Sequence, residues 1–206
     1  MVKINEDYCF SPHFPYEEID WEDSARLLDA FRDRIMGFYL EPARTVALMA
    51  DNSGLFASTL LCAAAVEAIA RYTGTKKSGS NGIAAWLEQW VPCFKEASPD
   101  GSKKSLADLF DSYFRNGLAH NALVKSLGQV TTEIAHPVQV QDGKVSVNPV
   151  ALVEALITGF QNHLAEIGSK RSERESFRQR IVAHFQREIE SLSRLALVTA
   201  YNPAIH

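Results

Sequence analysis

The segment 113–121 (YFRNGLAHN) holds three side chains suited to phosphoryl chemistry. The guanidinium of Arg115 can bind two phosphate oxygens at once, and the imidazole of His120 titrates near neutral pH, as a general base must. Asn116 precedes His120 by four residues, so the two side chains lie on the same face of an ideal helix. These three groups are a general base, a cation that binds phosphate, and an amide that can orient the base or the phosphate. Together they predict attack on a phosphodiester bond.

The same residues also fit a plain helix end. Arg115 and His120 are five residues apart and differ by about 140° around an ideal helix, so the arginine must wrap around the helix end to meet the imidazole. Cations near a helix C-terminus complement the helix dipole, and asparagine and glycine often end helices. This interpretation predicts that Arg115 pairs with nearby carbonyl or carboxylate groups, away from any cleft.

These candidate residues end the best amphipathic helix in the sequence, expected over about residues 102–119. Its apolar residues recur at helical spacing, and most of the remaining chain shows the same period. Further helices are expected from near Asp20, with apolar residues up to Phe38; from a cap at 51–53 to Gly74; over 83–94, with a kink at Pro92; from Asn148-Pro149 to Gly168; and over about 172–200, opened by a capping box of Ser172 and Glu175.

One segment carries a convincing strand pattern, at about residues 137–148. Its central part, 138–147 (VQVQDGKVSV), places four valines on one face of two strands joined by a two-residue Asp-Gly turn. An isolated hairpin is only marginally stable, so we expect it to lean on the helices or to add a third strand from 130–134. The chain is therefore predicted to be all-α, one domain over 1–206 with a small β-hairpin insertion.

Composition excludes several classes of protein. The 206 residues carry a net charge of −4 and three cysteines, Cys9, Cys62 and Cys93, which suits a reducing cytoplasm and offers no zinc-ligand spacing. The longest uncharged run, 52–66, is shorter than the about 20 residues that cross a membrane, so no membrane association is expected. No nucleotide-binding or metal-ligand motif occurs, and we expect neither a cofactor nor a metal.

Two pairs of residues, each four apart, carry structural predictions. Glu67 and Arg71 are expected to form an ion pair at the edge of the bundle rather than to join an active site. Trp86 and Trp90 are expected to pack against the bundle, with a dimer contact as the alternative. Tyr113, just before the candidate motif, is expected in the core rather than as a platform for base stacking.

The motif of Arg115, Asn116 and His120, at the end of a bundle helix and preceded by aromatic residues, resembles that of the HEPN superfamily. That motif is an arginine, four to six residues, and a histidine, with a polar residue after the arginine. The likeness extends loosely to the alanine-rich helix ending at Arg71 and to the helices after the motif. It implies a bundle of four or more helices that forms a two-fold homodimer, with both motifs in a shared cleft.

The resemblance also implies an activity. Many members of the superfamily are metal-independent endoribonucleases, including toxins and antiviral nucleases, whereas others only bind RNA or nucleotides. In this chain His120 would be the general base for the 2′-hydroxyl or, with its mate, the acid for the 5′-oxygen. Arg115 would stabilise charge on the phosphorane, and Asn116 would orient the site. The alternative is a non-catalytic module whose same residues bind RNA, a nucleotide or a protein.

The resemblance bears on partners as well. RNA is the expected substrate, and the need for a 2′-hydroxyl excludes cleavage of DNA. A toxin of this kind would have an antitoxin or another regulatory protein as its partner. Toxins of the superfamily that are paired with a small nucleotidyltransferase often carry tyrosine two residues after the histidine. Here that position is Ala122, so modification by such a partner is not expected.

Overall fold

The structure is a computed structural model that describes residues 2–4, 7–74, 80–96, 98, 104–121, 124 and 127–201. At 2–4, 7, 80–81, 119–121 and 192–201 the description covers the backbone alone. The helices are α1 (Ser24–Ile35), α2 (Glu41–Ala47), α3 (Leu55–Thr73), α4 (Ser80–Trp90), α5 (Leu106–Phe110), α6 (Asn116–Asn121), α7 (Pro149–Ser169) and α8 (Arg171–Tyr201). The strands are β1 (Val2–Ile4), β2 (Asp7–Ser11), β3 (Phe14–Pro15), β4 (Gly128–Val130), β5 (Val138–Gln141) and β6 (Lys144–Val147). A mainly helical fold is thus confirmed.

Helix α3 lies at the centre of the helical packing, as its alanine-rich sequence predicts. It packs against α2, α4, α7 and α8, and most side chains from Cys62 to Val66 are buried. The helix ends where expected, at Gly74, whose φ of 68° lies in the left-handed region that favours glycine. Its start differs from the prediction, because Gly54 precedes the helix and no side chain caps it.

Among the described helices, α3 is also the one that is long and apolar enough to cross a membrane. Half of its apolar stretch is buried inside the protein. Burial of an apolar helix among its neighbours is typical of a bundle core, so the fold is compatible with a soluble protein.

On the outer side of α3, Arg71 Nη2 lies 3.0 Å from Glu67 Oε1. This contact is the ion pair that the sequence predicts.

The sequence analysis missed the antiparallel sheet β1–β2–β3 near the N-terminus. Its strands have three, five and two residues, too few to show a clear alternation. Tertiary contacts hold it instead, because the buried Phe10 of β2 makes edge-to-face contacts with Tyr16, Trp21 and Phe185. Arg34 of α1 donates a hydrogen bond to the Phe10 carbonyl and lies over its ring. The sheet therefore packs against both α1 and α8.

The predicted hairpin is present as β5 and β6, with Val138 opposite Val147. Its turn residues Asp142 and Gly143 have φ values of 50° and 72°, and a type I′ turn requires both to be positive. A third strand exists, but it is β4 rather than 130–134, and it pairs parallel with β6. The chain leaves the sheet there because Thr131 Oγ1 accepts the backbone N–H of Glu133 in a turn. Strand β5 is consequently an edge of the sheet.

The capping box expected at Ser172 is wrong. Helix α8 begins at Arg171, so Ser172 lies in its first turn. The carboxylate of Glu175 instead takes three hydrogen bonds from the guanidinium of Arg178. The helix nevertheless reaches Tyr201 and so covers the expected range of about 172–200.

Trp86 and Trp90 pack against the bundle, as predicted. Trp86 is fully buried, and its Nε1–H donates to Nδ1 of His163 on α7 at 2.8 Å. Trp90 stacks on the same imidazole with ring centroids 4.6 Å apart. Burial, with a smaller effect of Arg180, lowers the pKa of His163 to about 4. Neutral His163 is therefore part of the contact between α4 and α7.

Asp23 sets the start of α1, four residues later than the sequence suggested. Its Oδ1 accepts the backbone N–H groups of Ala25 and Arg26 at 2.9 and 3.1 Å. We expect Asp23→Ala to lower the free energy of unfolding by about 1 kcal/mol, measured by urea denaturation, because two N–H groups lose their acceptor. Asp23→Asn keeps an acceptor oxygen and is the control. Equal loss in both variants would contradict a capping role.

Candidate functional site

The expected long helix over 102–119 is divided into three parts by a change of helical pitch. A capping box of Ser105 and Asp108 opens α5. Residues 111–115 then form a π-helical turn, and α6 continues from Asn116. Two buried aromatic rings, Phe110 and Phe114, stack with centroids 5.7 Å apart and hold the turn against the core. Such π-turns are rare and frequently occur at functional sites.

Arg115, the last residue of the π-turn, points to α3 rather than into solvent. Its Nε and Nη2 lie 3.1 and 3.0 Å from Oε2 and Oε1 of Glu67, which makes a two-point contact with one carboxylate. Its Nη1 donates to Oδ1 of Asn116 at 2.7 Å. The side chain retains 19% of its exposure. Glu67 and Asn116 together thus fix the plane of the guanidinium.

Glu67 is shared between two cations. Its Oε1 also accepts a hydrogen bond from Arg71, one turn later on α3. Asp111, almost fully buried, has Oδ1 3.8 Å from Nε of Arg115. The formal charges of these two arginines and two acids cancel, so the cluster has no net charge to attract a polyanion. Any affinity for phosphate must come from the direction of its donors.

Three of the five guanidinium N–H bonds of Arg115 are engaged by Glu67 and Asn116. The fourth and fifth, one on Nη1 and one on Nη2, have no partner among the described residues. The Asn116 amide has its oxygen turned to Arg115, so its Nδ2 donors are directed away from that guanidinium. An arginine fixed on one edge and free on another can bind oxyanions without rearranging.

Of the three predicted site residues, the structure joins Arg115 and Asn116 directly. The backbone of His120 belongs to α6, four residues after Asn116, but its side chain lies outside the described part of the chain. The contact of Arg115 with a carboxylate is also what the helix-end interpretation predicts. The nuclease interpretation and the helix-end interpretation therefore differ in two respects. They differ in what surrounds the two remaining N–H groups of the Arg115 guanidinium, and in the position of the His120 imidazole.

Sequence reasoning missed Glu67 as a member of this site. It had assigned this residue to an ion pair with Arg71, and that pair exists, but the stronger two-point contact is with Arg115. A signal was present, because Glu67 is the single acid on the apolar helix α3. An acid on an apolar helix needs a cationic partner, and here the partner is Arg115, which lies 48 positions later in the chain.

Tyr113 is half-buried and packs against the core without being enclosed by it. Among the described residues, no three histidine, cysteine or acidic side chains are grouped as metal ligands. The three cysteines are free thiols, with Cys9 and Cys62 buried. Comparison of the chain with family models, with curated proteins and with solved structures finds no match.

Proposed function

We propose that this protein is a metal-independent endoribonuclease of the HEPN type. The observation that supports this most is the fixed guanidinium of Arg115, with an amide beside it and two N–H donors that no described residue accepts. Glu67 acts as a positioning residue, since it touches the arginine and not the substrate. His120, four residues after Asn116 on α6, supplies the proton transfer that this pair of side chains lacks.

In the proposed reaction, His120 takes the proton of the ribose 2′-hydroxyl as its oxygen attacks the adjacent phosphorus. Charge builds up on the phosphoryl oxygens, and the free edge of Arg115 stabilises it there. The bond to the 5′-oxygen then breaks, and a second imidazole protonates that oxygen. The products are a 2′,3′-cyclic phosphate and a 5′-hydroxyl, with no net consumption of protons.

The second imidazole is best supplied by another copy of the chain. Phe56 and Leu60 of α3 are 51% and 38% exposed, and they share a helix face with Glu67, since eleven residues correspond to about three turns. These two exposed apolar side chains therefore lie on the same side of α3 as the Arg115 site, with Phe56 about three turns away from Glu67. Pairing of two copies along this side of α3 would bury Phe56 and Leu60 and bring the two motifs to the same side of the dimer, which supports a homodimer.

Phe56→Glu is expected to convert the dimer to a monomer, measured by sedimentation velocity, because it places a charge in the proposed contact. The side chain is half exposed, so the fold should be retained, as circular dichroism would check. Leu127→Glu is a matched control, since Leu127 is 48% exposed and lies outside α3. A wild-type chain that sediments as a monomer, or a dimer unaffected by Phe56→Glu, would contradict this arrangement.

The activity itself is tested by incubating the dimer with structured RNA in excess chelator. We expect cleavage that leaves 2′,3′-cyclic phosphate ends, and none when the 2′-hydroxyl at the cut site is replaced by hydrogen. Loss of cleavage in chelator with recovery on adding Mg²⁺ would overturn the metal-independent reaction. Intact RNA under both conditions, over several sequences, favours the second candidate below.

The second candidate is a non-catalytic module that binds RNA, a nucleotide or a protein through the same residues. It is favoured by the contact between Arg115 and Glu67, which neutralises the cation before any ligand arrives. Under either function we place the protein in the cytoplasm, consistent with its three free thiols. An antitoxin or other regulatory protein is its proposed partner if the activity is toxic.

A further inference from the structure

A small cavity lies between the π-turn and the β-hairpin. Leu109 and Tyr113, one turn apart, form its helical wall, while Val140 and Val145 of the hairpin form the opposite one. Its volume is about 200 Å³, below the roughly 300–1,000 Å³ of sites for drug-sized ligands. The volume therefore suits a ligand of about the size of one ring system.

The lining of this cavity combines an aromatic ring with an acceptor. Tyr113 contributes an aromatic side chain to the lining, and the valine and leucine side chains make the walls apolar. Asp142 lines the cavity from the tight turn of the hairpin, and a carboxylate accepts hydrogen bonds but donates none. The described residues donate no hydrogen bond to this carboxylate, and a ligand with two adjacent donors would match it.

The position of the cavity relates it to the candidate active site. Tyr113 and Arg115 belong to the same π-turn, and two peptide steps limit the separation of their Cα atoms to about 7.6 Å. Residues two apart project to opposite sides of a helix, and Arg115 contacts α3 whereas Tyr113 faces the hairpin. The cavity therefore lies across the turn from the guanidinium, and a base bound in it belongs to another nucleotide of the RNA than the phosphate on Arg115.

We propose that the cavity binds a guanine base of the RNA, stacked on Tyr113 and hydrogen-bonded to Asp142. Among the four RNA bases, guanine alone presents two adjacent N–H donors, N1–H and the N2 amine, to one carboxylate. Cytosine and adenine place a ring acceptor beside their amine, and uracil flanks its single N–H with two carbonyls. This specificity rests on the proposed nuclease function and assigns a role to the hairpin.

The test is the binding of the four nucleoside 5′-monophosphates, measured by saturation-transfer NMR and calorimetry on the full chain. All four carry the same phosphate, so a preference reports the base. We expect guanosine monophosphate to bind at least about fivefold more tightly than the others, the effect of a two-point contact with a base. Equal affinity for the four nucleotides would overturn the proposal.

Two variants separate the two contacts. Asp142→Asn should bring guanosine monophosphate to the level of the others without disturbing the turn, because Asn-Gly is well suited to type I′ turns. Tyr113→Leu should weaken all four nucleotides by about fivefold or more, through loss of stacking. Glu166→Gln, which removes an exposed carboxylate on α7, is the charge control and should change nothing.

An unchanged guanine preference in Asp142→Asn would also overturn the proposal. Because binding is measured without turnover, this result is independent of the nuclease function. A chain that prefers guanine but leaves RNA intact overturns only the nuclease function. A chain that cleaves RNA but binds the four bases equally overturns only the guanine site.

Discussion

His120→Ala is expected to lower the rate of RNA cleavage by about 10²–10⁴-fold, the usual contribution of general acid–base catalysis. The loss follows because the proposed reaction assigns to this imidazole the removal of the proton from the 2′-hydroxyl. The measurement is single-turnover cleavage of a labelled RNA in chelator. Binding of the same RNA, followed by fluorescence anisotropy, should change little.

Variants at Glu67 distinguish a nuclease site from a plain helix end. Glu67→Gln leaves one acceptor for the guanidinium, so Arg115 is released from its two-point contact. In a nuclease, cleavage then falls while RNA binding is kept, since the arginine no longer meets the phosphoryl group at a fixed angle. If Arg115 and Asn116 only end a helix, Glu67→Gln lowers the free energy of unfolding and changes no reaction.

Two variants of the proposed site would contradict catalysis if they kept their activity. If His120→Ala cleaves RNA at the wild-type rate, while circular dichroism and urea denaturation show both chains folded, the imidazole has no part in the reaction. The same holds for Arg115→Lys, which keeps the charge but loses the planar set of donors. Retained activity in both variants would leave the helical fold without the proposed site.

Acidification is expected to destabilise the fold through His163, by roughly 3 kcal/mol between pH 7 and pH 4. Its pKa is lowered from 6.5 to about 4 in the folded protein, chiefly by burial, so the unfolded chain binds the proton more tightly. The stabilising contribution is complete above pH 6.5 and declines as the pH falls, until it is lost near pH 4. The magnitude is the pKa difference converted to free energy.

Urea denaturation at several pH values measures this effect, with His163→Gln as the comparison. Glutamine does not titrate, and its amide oxygen can still accept the Nε1–H of Trp86. Between pH 7 and pH 4 the wild-type chain should lose roughly 3 kcal/mol more of its free energy of unfolding than His163→Gln does. Since carboxylates such as Asp33 titrate in both chains, they cancel in this comparison. A constant difference would contradict a neutral, buried His163.

The local signals in the sequence predicted much of the framework. The alanine-rich character of α3, the left-handed glycine at position 74 and the Asp-Gly turn of the hairpin are each determined by a few adjacent residues. The conformations of the glycine and of the turn follow from steric limits that tertiary packing rarely overrides. The N-terminal sheet could not be predicted from adjacent residues, because its short strands depend on contacts with Arg34 and with the aromatic residues around Phe10.

The candidate site was predicted only in part, for a similar reason. Residue types and spacing selected Arg115 and Asn116, and the structure brings them together. The partner that fixes the arginine, Glu67, lies on another helix and could not be derived from spacing. The π-turn was not predicted either, because a single extra residue per turn leaves the apolar period almost unchanged.

That extra residue gives the helix one place where its length can change. A regular α-helix advances by about 100° per residue and a π-turn by only about 80°, so five residues of the π-turn rotate the chain by nearly as much as four residues of an α-helix. A one-residue deletion within 111–115 that restored regular pitch would therefore leave Arg115 facing its acid on α3, whereas a deletion in a regular helical segment would rotate everything downstream by about 100°. Among related chains, single-residue deletions in this helix should accordingly fall within the π-turn.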